Sequence, residues 1–364
     1  MMAIRSGRLD YVESIRGLAC LLLISYHVVG STPQEGLGLG DLDPLRIVND
    51  GLNNSRMPVF SFISGFVLSA IIVSLVKWEG SVLSKARRLL IPMAAVGALH
   101  YGLRGLAGND QQPFLSIFLT QYAHFWFLQA TFVLMVMLLT LSLLLKGRSD
   151  KAALILFLVL TPIFLFSQRW NPNIMSMYQG LYLAPFFYSG HLFAAYLQRR
   201  RERDAGDLPG WLTVATGVVL AVLLAVNFAY VLEVVVLPDP WLNIHRLIIG
   251  LASAGFLFLL KPNAKFLAWV GGYAYAIYLF HVIFAATTRS ALIKLFPQLD
   301  PSVFYVPCVL AGFLVPMLVQ ELALKHDLTA LLFLGIDRKK RAARARSTPV
   351  GQGRKGQAEG ASAL

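Results

Sequence analysis

The sequence predicts an all-α fold, a polytopic membrane helical bundle of about ten transmembrane helices with both termini in the cytoplasm. Three observations carry this expectation. First, 57% of the 364 residues are apolar and only 14% are charged, with a mean hydropathy of +0.63. A soluble domain carries roughly 25% charged residues, so this chain cannot cover itself with polar surface and lipid must contact much of it. Second, apolar runs of about the 20 residues that cross a bilayer recur along the chain. Third, basic residues alternate from loop to loop.

The spans are expected near 12–30, 57–77, 89–107, 122–145, 152–168, 179–197, 211–235, 244–260, 266–288 and 303–321. The first is the weakest, because its uncharged run from Gly17 to Ser31 is short; Arg16 must snorkel, and Tyr11 and Val12 must extend it. No small-residue cleavage pattern follows His27, so this segment reads as a retained helix rather than a signal peptide. With this set of spans, 25 of the 32 Lys and Arg residues fall on one side and seven on the other, in strict alternation. The positive-inside rule makes the richer side cytoplasmic. An odd number of spans would break the pattern.

No stretch is long enough for a second folded domain. The segment 338–364 is rich in Gly, Ala and Arg without an apolar period and is expected to be a disordered cytoplasmic tail. Its basic run is explained by topology and anionic lipid, so no nucleic-acid partner is expected. Cys20 and Cys308 lie inside apolar runs and read as buried thiols. No metal spacing, disulfide framework, Walker loop or HExxH motif is present, and no internal repeat of the transporter kind.

Ionisable side chains within a membrane are costly and therefore point to function. The first span holds Glu13, Arg16 and His27. Eleven residues return to within about 20° of the same helix face, with a rise of about 16 Å. One stripe thus carries a cation at the cytoplasmic rim and an imidazole well above it. That suits a substrate with an anionic end in the cytoplasm and a reactive end in the membrane, since Arg pairs with phosphate and His removes protons near neutral pH. The plainer reading is a topogenic Arg16 and a structural His27.

Further polar groups fall toward the outer half. Arg56 opens the second span, His124 the fourth, and His245 and Arg246 the eighth, while His281 lies high in the ninth. With His27 they are expected to line one outward-facing cavity, although each alone also reads as a helix-end anchor. Trp126 fits an interfacial belt, and His100 and His191 read as structural. On the cytoplasmic side Lys85, Arg87 and Arg88 form a cluster able to hold phosphates or to anchor the span. Ser61, Ser64 and Gly65 allow close helix packing.

The segment Arg8-Leu-Asp-Tyr-Val-Glu13-Ser-Ile-Arg16-Gly-Leu-Ala, followed by His27, resembles the opening of the acyltransferase-3 family of bacterial membrane acyltransferases. The family pattern is an acid, then Arg, then His eleven positions later; Glu13 stands here where Asp is usual. Five further blocks follow in order: Arg56-Met-Pro-Val-Phe-Ser-Phe-Ile-Ser-Gly-Phe66, Lys85-Ala-Arg87-Arg88-Leu-Leu-Ile-Pro92, His124-Phe-Trp126-Phe-Leu, Pro185-Phe-Phe-Tyr-Ser-Gly190 and Tyr273-Ala-Tyr-Ala-Ile-Tyr278-Leu-Phe-His281. The resemblance runs from about residue 8 to 285 and is to a stand-alone form without an esterase-like domain.

The resemblance implies a membrane domain over 1–337 in a bacterial inner membrane. It implies an acyl-CoA donor, by default acetyl-CoA, in the cytoplasm and a carbohydrate or glycoconjugate hydroxyl outside as acceptor. Arg16, Lys85, Arg87 and Arg88 would meet the CoA phosphates and Glu13 would hold Arg16. His27 would be the general base, while Arg56, His124, Trp126, Arg246, Tyr278 and His281 would line the acceptor side. The rival expectation is a transporter or flippase of a sugar-linked lipid with His27 as a proton relay. A third is a sensor or scaffold acting through the basic tail. The acyl group, the acceptor, the oligomeric state and the choice between direct transfer and a covalent acyl-histidine stay open.

Overall fold

The computed structural model of the chain describes residues 6–69, 78–108, 112–166 and 173–337. The regular structure there is helical, apart from a single bridge between Thr120 and Ile174. The order is α1 (Ser6–Val29), α2 (Pro44–Gly51), α3 (Asn53–Ser69), α4 (Trp78–Leu106), α5 (Ser116–Leu119), α6 (Trp126–Leu144), α7 (Ser149–Phe166) and α8 (Met177–Glu202). There follow α9 (Gly210–Val231), α10 (Trp241–Leu260), α11 (Lys265–Gly272), α12 (Ala274–Leu295), α13 (Tyr305–Ala323) and α14 (Asp327–Leu334). A 3₁₀ turn over Ala123–Phe125 leads into α6, and another over Pro301–Phe304 leads into α13.

Eight of these segments are long and apolar enough to cross a membrane: α1, α4, α6 with its leading turn, α7, α9, α10, α12, and α13 with its leading turn. Their outward faces are apolar in helical register, as with Val214, Val218 and Val222 on α9 and Leu310, Leu314 and Leu318 on α13, all exposed. Such stripes are what lipid contact requires and water would oppose.

The two other expected spans correspond to α3 and α8. The described part of α3 has 17 residues, and the end of the expected 57–77 span lies outside the described residues. Its apolar and polar residues alike are mostly buried by neighbouring helices. α8 ends in Arg199, Arg200 and Arg201, which lower its hydropathy.

These two helices pack most intimately. A Cβ on Gly65 would overlap the Phe187 carbonyl, and one on Gly190 the Phe62 carbonyl. The Ser61 hydroxyl donates to Leu183 O at 3.0 Å across the same seam. In lipid, where apolar burial gives helices little reason to associate, such small-residue contact supplies the packing.

One expectation needs correction. The run 266–288 is not a single helix: it breaks at Tyr273 into α11 and α12. The cause is local. Gly271-Gly272 weakens the helix, and α11 is pressed onto α1, with Gly17 against the Leu267 carbonyl and Gly271 against the Glu13 carbonyl. The spanning helix is therefore Ala274–Leu295. The short α2, α5 and α14 were not foreseen, being too brief to show an apolar period. The basic segment from Arg338 onward lies outside the described residues.

Candidate active site

α1 is one uninterrupted helix, so Glu13, Arg16 and His27 lie on it as the spacing requires. Arg16 Nη1 donates to both Glu13 carboxylate oxygens, at 2.6 and 2.8 Å. The pair sits half-buried, three turns from His27.

His27 lies in the last turn of α1, and a buried arginine organises the chain just beyond it. Arg46 on α2 is 1% exposed. It donates to Leu39 O at 2.9 Å and Thr32 O at 2.8 Å, reaches Gly30 O at 3.4 Å and Val29 O at 3.5 Å, and faces Asp50 at 3.8 Å. Gly30, at φ +92°, allows the reversal that begins this loop.

Two further imidazoles approach His27. Its ring centroid lies 4.9 Å from that of His281 and 5.9 Å from that of His124, and those two are 5.1 Å apart. His281 Nδ1 donates to Ile277 O and Tyr278 O at 2.9 and 3.0 Å. In the neutral ring this makes Nε2 the unprotonated nitrogen, and it has no hydrogen-bond partner among the described residues. His124 follows Ala123, whose φ of +41° turns the chain inward. His124 Nε2 donates to Leu279 O at 3.3 Å, leaving Nδ1 without a partner. The Tyr278 hydroxyl donates to the His124 carbonyl and fixes that turn.

A cavity of about 330 Å³ opens above this cluster. His27, Arg56, His124, Trp126, Arg246 and Tyr278 all line it. Four of the six residues expected to share one cavity, His27, Arg56, His124 and Arg246, are thus brought together from α1, α3, the turn before α6 and α10, and Trp126 and Tyr278 join them from α6 and α12. His281 adjoins it through the His27 ring, whereas His245 is buried without lining it. Arg56 stacks on the Tyr26 ring with its Cζ 3.8 Å from the centroid, and bonds Asn49 at 3.4 Å and Asn53 at 2.5 Å. Arg246 reaches Asn243 at 3.5 Å. Among the described residues, no three of His, Cys, Asp and Glu converge as metal ligands.

The lining also includes Asn53, Asn54, Tyr178, Gln179, Tyr182 and Asn243, which the sequence reading missed. A signal existed: each stands within about one turn of the N-terminal boundary of a predicted span, although Asn53, Asn54, Tyr178 and Asn243 fall just before it. His100 and His191 sit outside the lining, bonded to Tyr122 at 3.0 Å and Ser149 at 3.2 Å.

The basic cluster on α4 is elsewhere and partly engaged. Arg87 pairs with Asp337 at 2.8 Å, while Arg88 donates to Leu334 O at 2.9 Å and lies over the Tyr275 ring at 4.6 Å. These contacts hold α14 to α4. Lys85 precedes them on the same helix. A second cavity of about 690 Å³ lies at the C-terminal ends of α8 and α10, lined by Arg200, Arg201 and Lys261 among others. There Lys261 bonds Asp207 at 3.0 Å and holds its carboxyl below the usual carboxylate range.

The acyltransferase-3 model, described as an acyltransferase domain, matches residues 9–321. The chain belongs to the acyltransferase-3 family. The match covers every helix that lines the His27 cavity and both ends of the Arg16–His27 stripe. This acyltransferase-3 protein is therefore an acyltransferase, and its long apolar helices make it a multi-pass membrane protein. No curated protein and no solved structure matches the chain.

Proposed function

We propose that this chain moves an acyl group, acetyl in the simplest case, from cytoplasmic acyl-CoA to a hydroxyl of an extracytoplasmic carbohydrate or glycoconjugate. The site would belong to a ten-helix bundle in a bacterial inner membrane, with α3 and α8 as the two additional spans and both termini in the cytoplasm. The observation that carries the reading is the position of His27. It lies at the cavity, on the same helix that bears the Glu13–Arg16 pair three turns toward the basic side.

In the proposed reaction the acceptor hydroxyl enters the cavity and the thioester approaches from the other side. His27 takes the hydroxyl proton as the oxygen attacks the thioester carbonyl. A C–O bond forms and the carbonyl electrons move to oxygen. Collapse then breaks the C–S bond, and the CoA thiolate leaves and takes the proton back from the imidazolium. His281 supports this role: its own N–H is committed to two carbonyls, so its unprotonated Nε2 is suited to orient a His27 N–H. His124 has likewise committed its N–H, so it offers an acceptor to the substrate hydroxyl rather than a donor to the oxyanion. Arg56, with five N–H groups and two asparagine partners, is the better oxyanion donor. Arg16, held by Glu13, would meet a CoA phosphate, with Lys85, Arg87 and Arg88 further along the same face of the membrane.

The test compares cell-surface glycans by mass spectrometry from cells with the protein, without it, and with His27→Ala. The wild type should add an acyl mass that the deletion lacks. The variant should insert normally yet lower transfer by about 10²–10⁴-fold, the usual worth of a general base. Acylation surviving at wild-type rate in His27→Ala would remove the base assignment. Transport without CoA dependence would favour the flippase reading.

A further inference from the structure

The charged side chains that line the outer cavity are all cationic. Arg56 and Arg246 both line it, and no Asp or Glu does. None of the ion pairs among the described residues involves either arginine. They donate hydrogen bonds to neutral asparagines, and Arg56 also stacks on the Tyr26 ring. Asp50, on the neighbouring α2, faces Arg46 at 3.8 Å and acts on Arg56 only through space, beyond ion-pair distance. Arg56 is only 2% exposed, so its charge is withheld from bulk water and directed at whatever fills the cavity.

Backbone dipoles add to this. The cavity is lined by residues from the first two turns of four helices, including Asn53 on α3, Trp126 on α6, Gln179 on α8 and Asn243 on α10. Each N-terminus presents about half a positive charge. Four N-termini, opposed in part by the C-terminal ends of α1 and α7, and two guanidinium groups with no ion-pair partner within 4 Å among the described residues form a poorer setting for a neutral glycan than for an anion.

We infer that the acceptor is anionic: the carbohydrate carries a carboxylate or phosphate that docks between Arg246 and Arg56 while its hydroxyl meets His27. This rests on the acyl-transfer reading above and names the class of its acceptor. The two arginines have distinct parts. Arg56 lies over Tyr26, beside His27 in the chain, and serves the reacting end. Arg246 enters from α10, bonded to Asn243 at 3.5 Å, and would hold the charged substituent. Planar carboxylates and phosphates suit a guanidinium fork better than an ammonium.

The experiment uses the full chain in detergent and three probes: a uronic-acid oligosaccharide, the same oligosaccharide with its carboxyls reduced to hydroxymethyl groups, and glucose 6-phosphate. Binding is read by equilibrium dialysis at low and high salt, separately from transfer. The acid should bind at least tenfold more tightly than its reduced form, and salt should narrow the gap. Arg246→Gln should abolish the preference, whereas CoA retention stays at the wild-type level. Preference for glucose 6-phosphate over the uronate would assign the anion as phosphate rather than carboxylate, within the same inference. Equal binding of acid and reduced forms, or no binding of any probe, overturns it. So does loss of CoA rather than acid in Arg246→Gln, which would make the cavity a donor site. Radiolabelled acyl transfer onto the bound acid tests the reaction itself, so an anion that binds without being acylated faults only the transfer reading.

Discussion

Arg46 illustrates what a single buried charge does here. Its guanidinium gathers carbonyls from residues 29, 30, 32 and 39 and thereby fixes the loop that leaves α1 two residues after His27. Arg46→Ala strands those carbonyls and should cost about 1–3 kcal/mol, read as a lower thermal unfolding midpoint in detergent. Arg46→Lys should rescue little, because one ammonium cannot span the same fan of acceptors. Arg16 calls for a different measurement. Arg16→Ala should raise the acyl-CoA KM by about tenfold or more, the worth of a charged hydrogen bond, with a smaller change in kcat. Glu13→Asp should preserve most activity, since it keeps the carboxylate; an unchanged KM in Arg16→Ala would remove the donor role. The Arg16–His27 stripe was legible because helix geometry converts spacing into position. The role of Arg46 was not, because it depends on the path of an irregular loop. Nor was the engagement of Arg87 and Arg88 with α14, which joins residues almost 250 apart in the chain.

At the scale of elements, the α3–α8 seam supports the site, since α3 supplies Arg56 and α8 supplies Gln179 and Tyr182 to the cavity. The seam depends on backbone meeting backbone. At Gly190 a methyl group would meet the Phe62 carbonyl rather than a flexible side chain, so the helices must separate. Gly190→Ala should therefore cost about 1–3 kcal/mol, and Gly190→Leu more, measured as the loss of folded protein on heating in detergent. An unchanged midpoint for Gly190→Leu would show that the seam is looser than described. Hydropathy made the strongly apolar elements readable, α9 and α13 above all, because lipid contact leaves a continuous apolar face. It located α3 and α8 as well, but less sharply, because α3 is enclosed by other helices and α8 ends in a run of arginines. It also concealed the break at Tyr273, because α11 and α12 are both apolar and only their packing separates them.

For the whole molecule, the arrangement of charge and cavity makes a joint demand. The outer cavity collects the N-terminal ends of α3, α6, α8 and α10 with the C-terminal end of α1, so these five ends must share one side of the membrane. The second, basic cavity collects the C-terminal ends of α8 and α10 and should face the opposite side. In the proposed ten-span topology, the 25-to-7 distribution of Lys and Arg would make the second side cytoplasmic. Single cysteines placed at Gly38 and Asn243, in a Cys20→Ser, Cys308→Ser background, should react with an impermeant maleimide added outside intact cells. Cysteines at Ala205 and Asn263 should react only after the membrane is opened. The buried native thiols make that background mild, since each replaces a small side chain in the interior. Labelling of Ala205→Cys from outside would place the basic cavity with the acceptor and reverse the route of the donor. Labelling of Gly38→Cys and Asn243→Cys from opposite sides would instead require an odd number of crossings between α1 and α10. His27 and Arg246 would then no longer face one compartment, and no single acceptor could reach both.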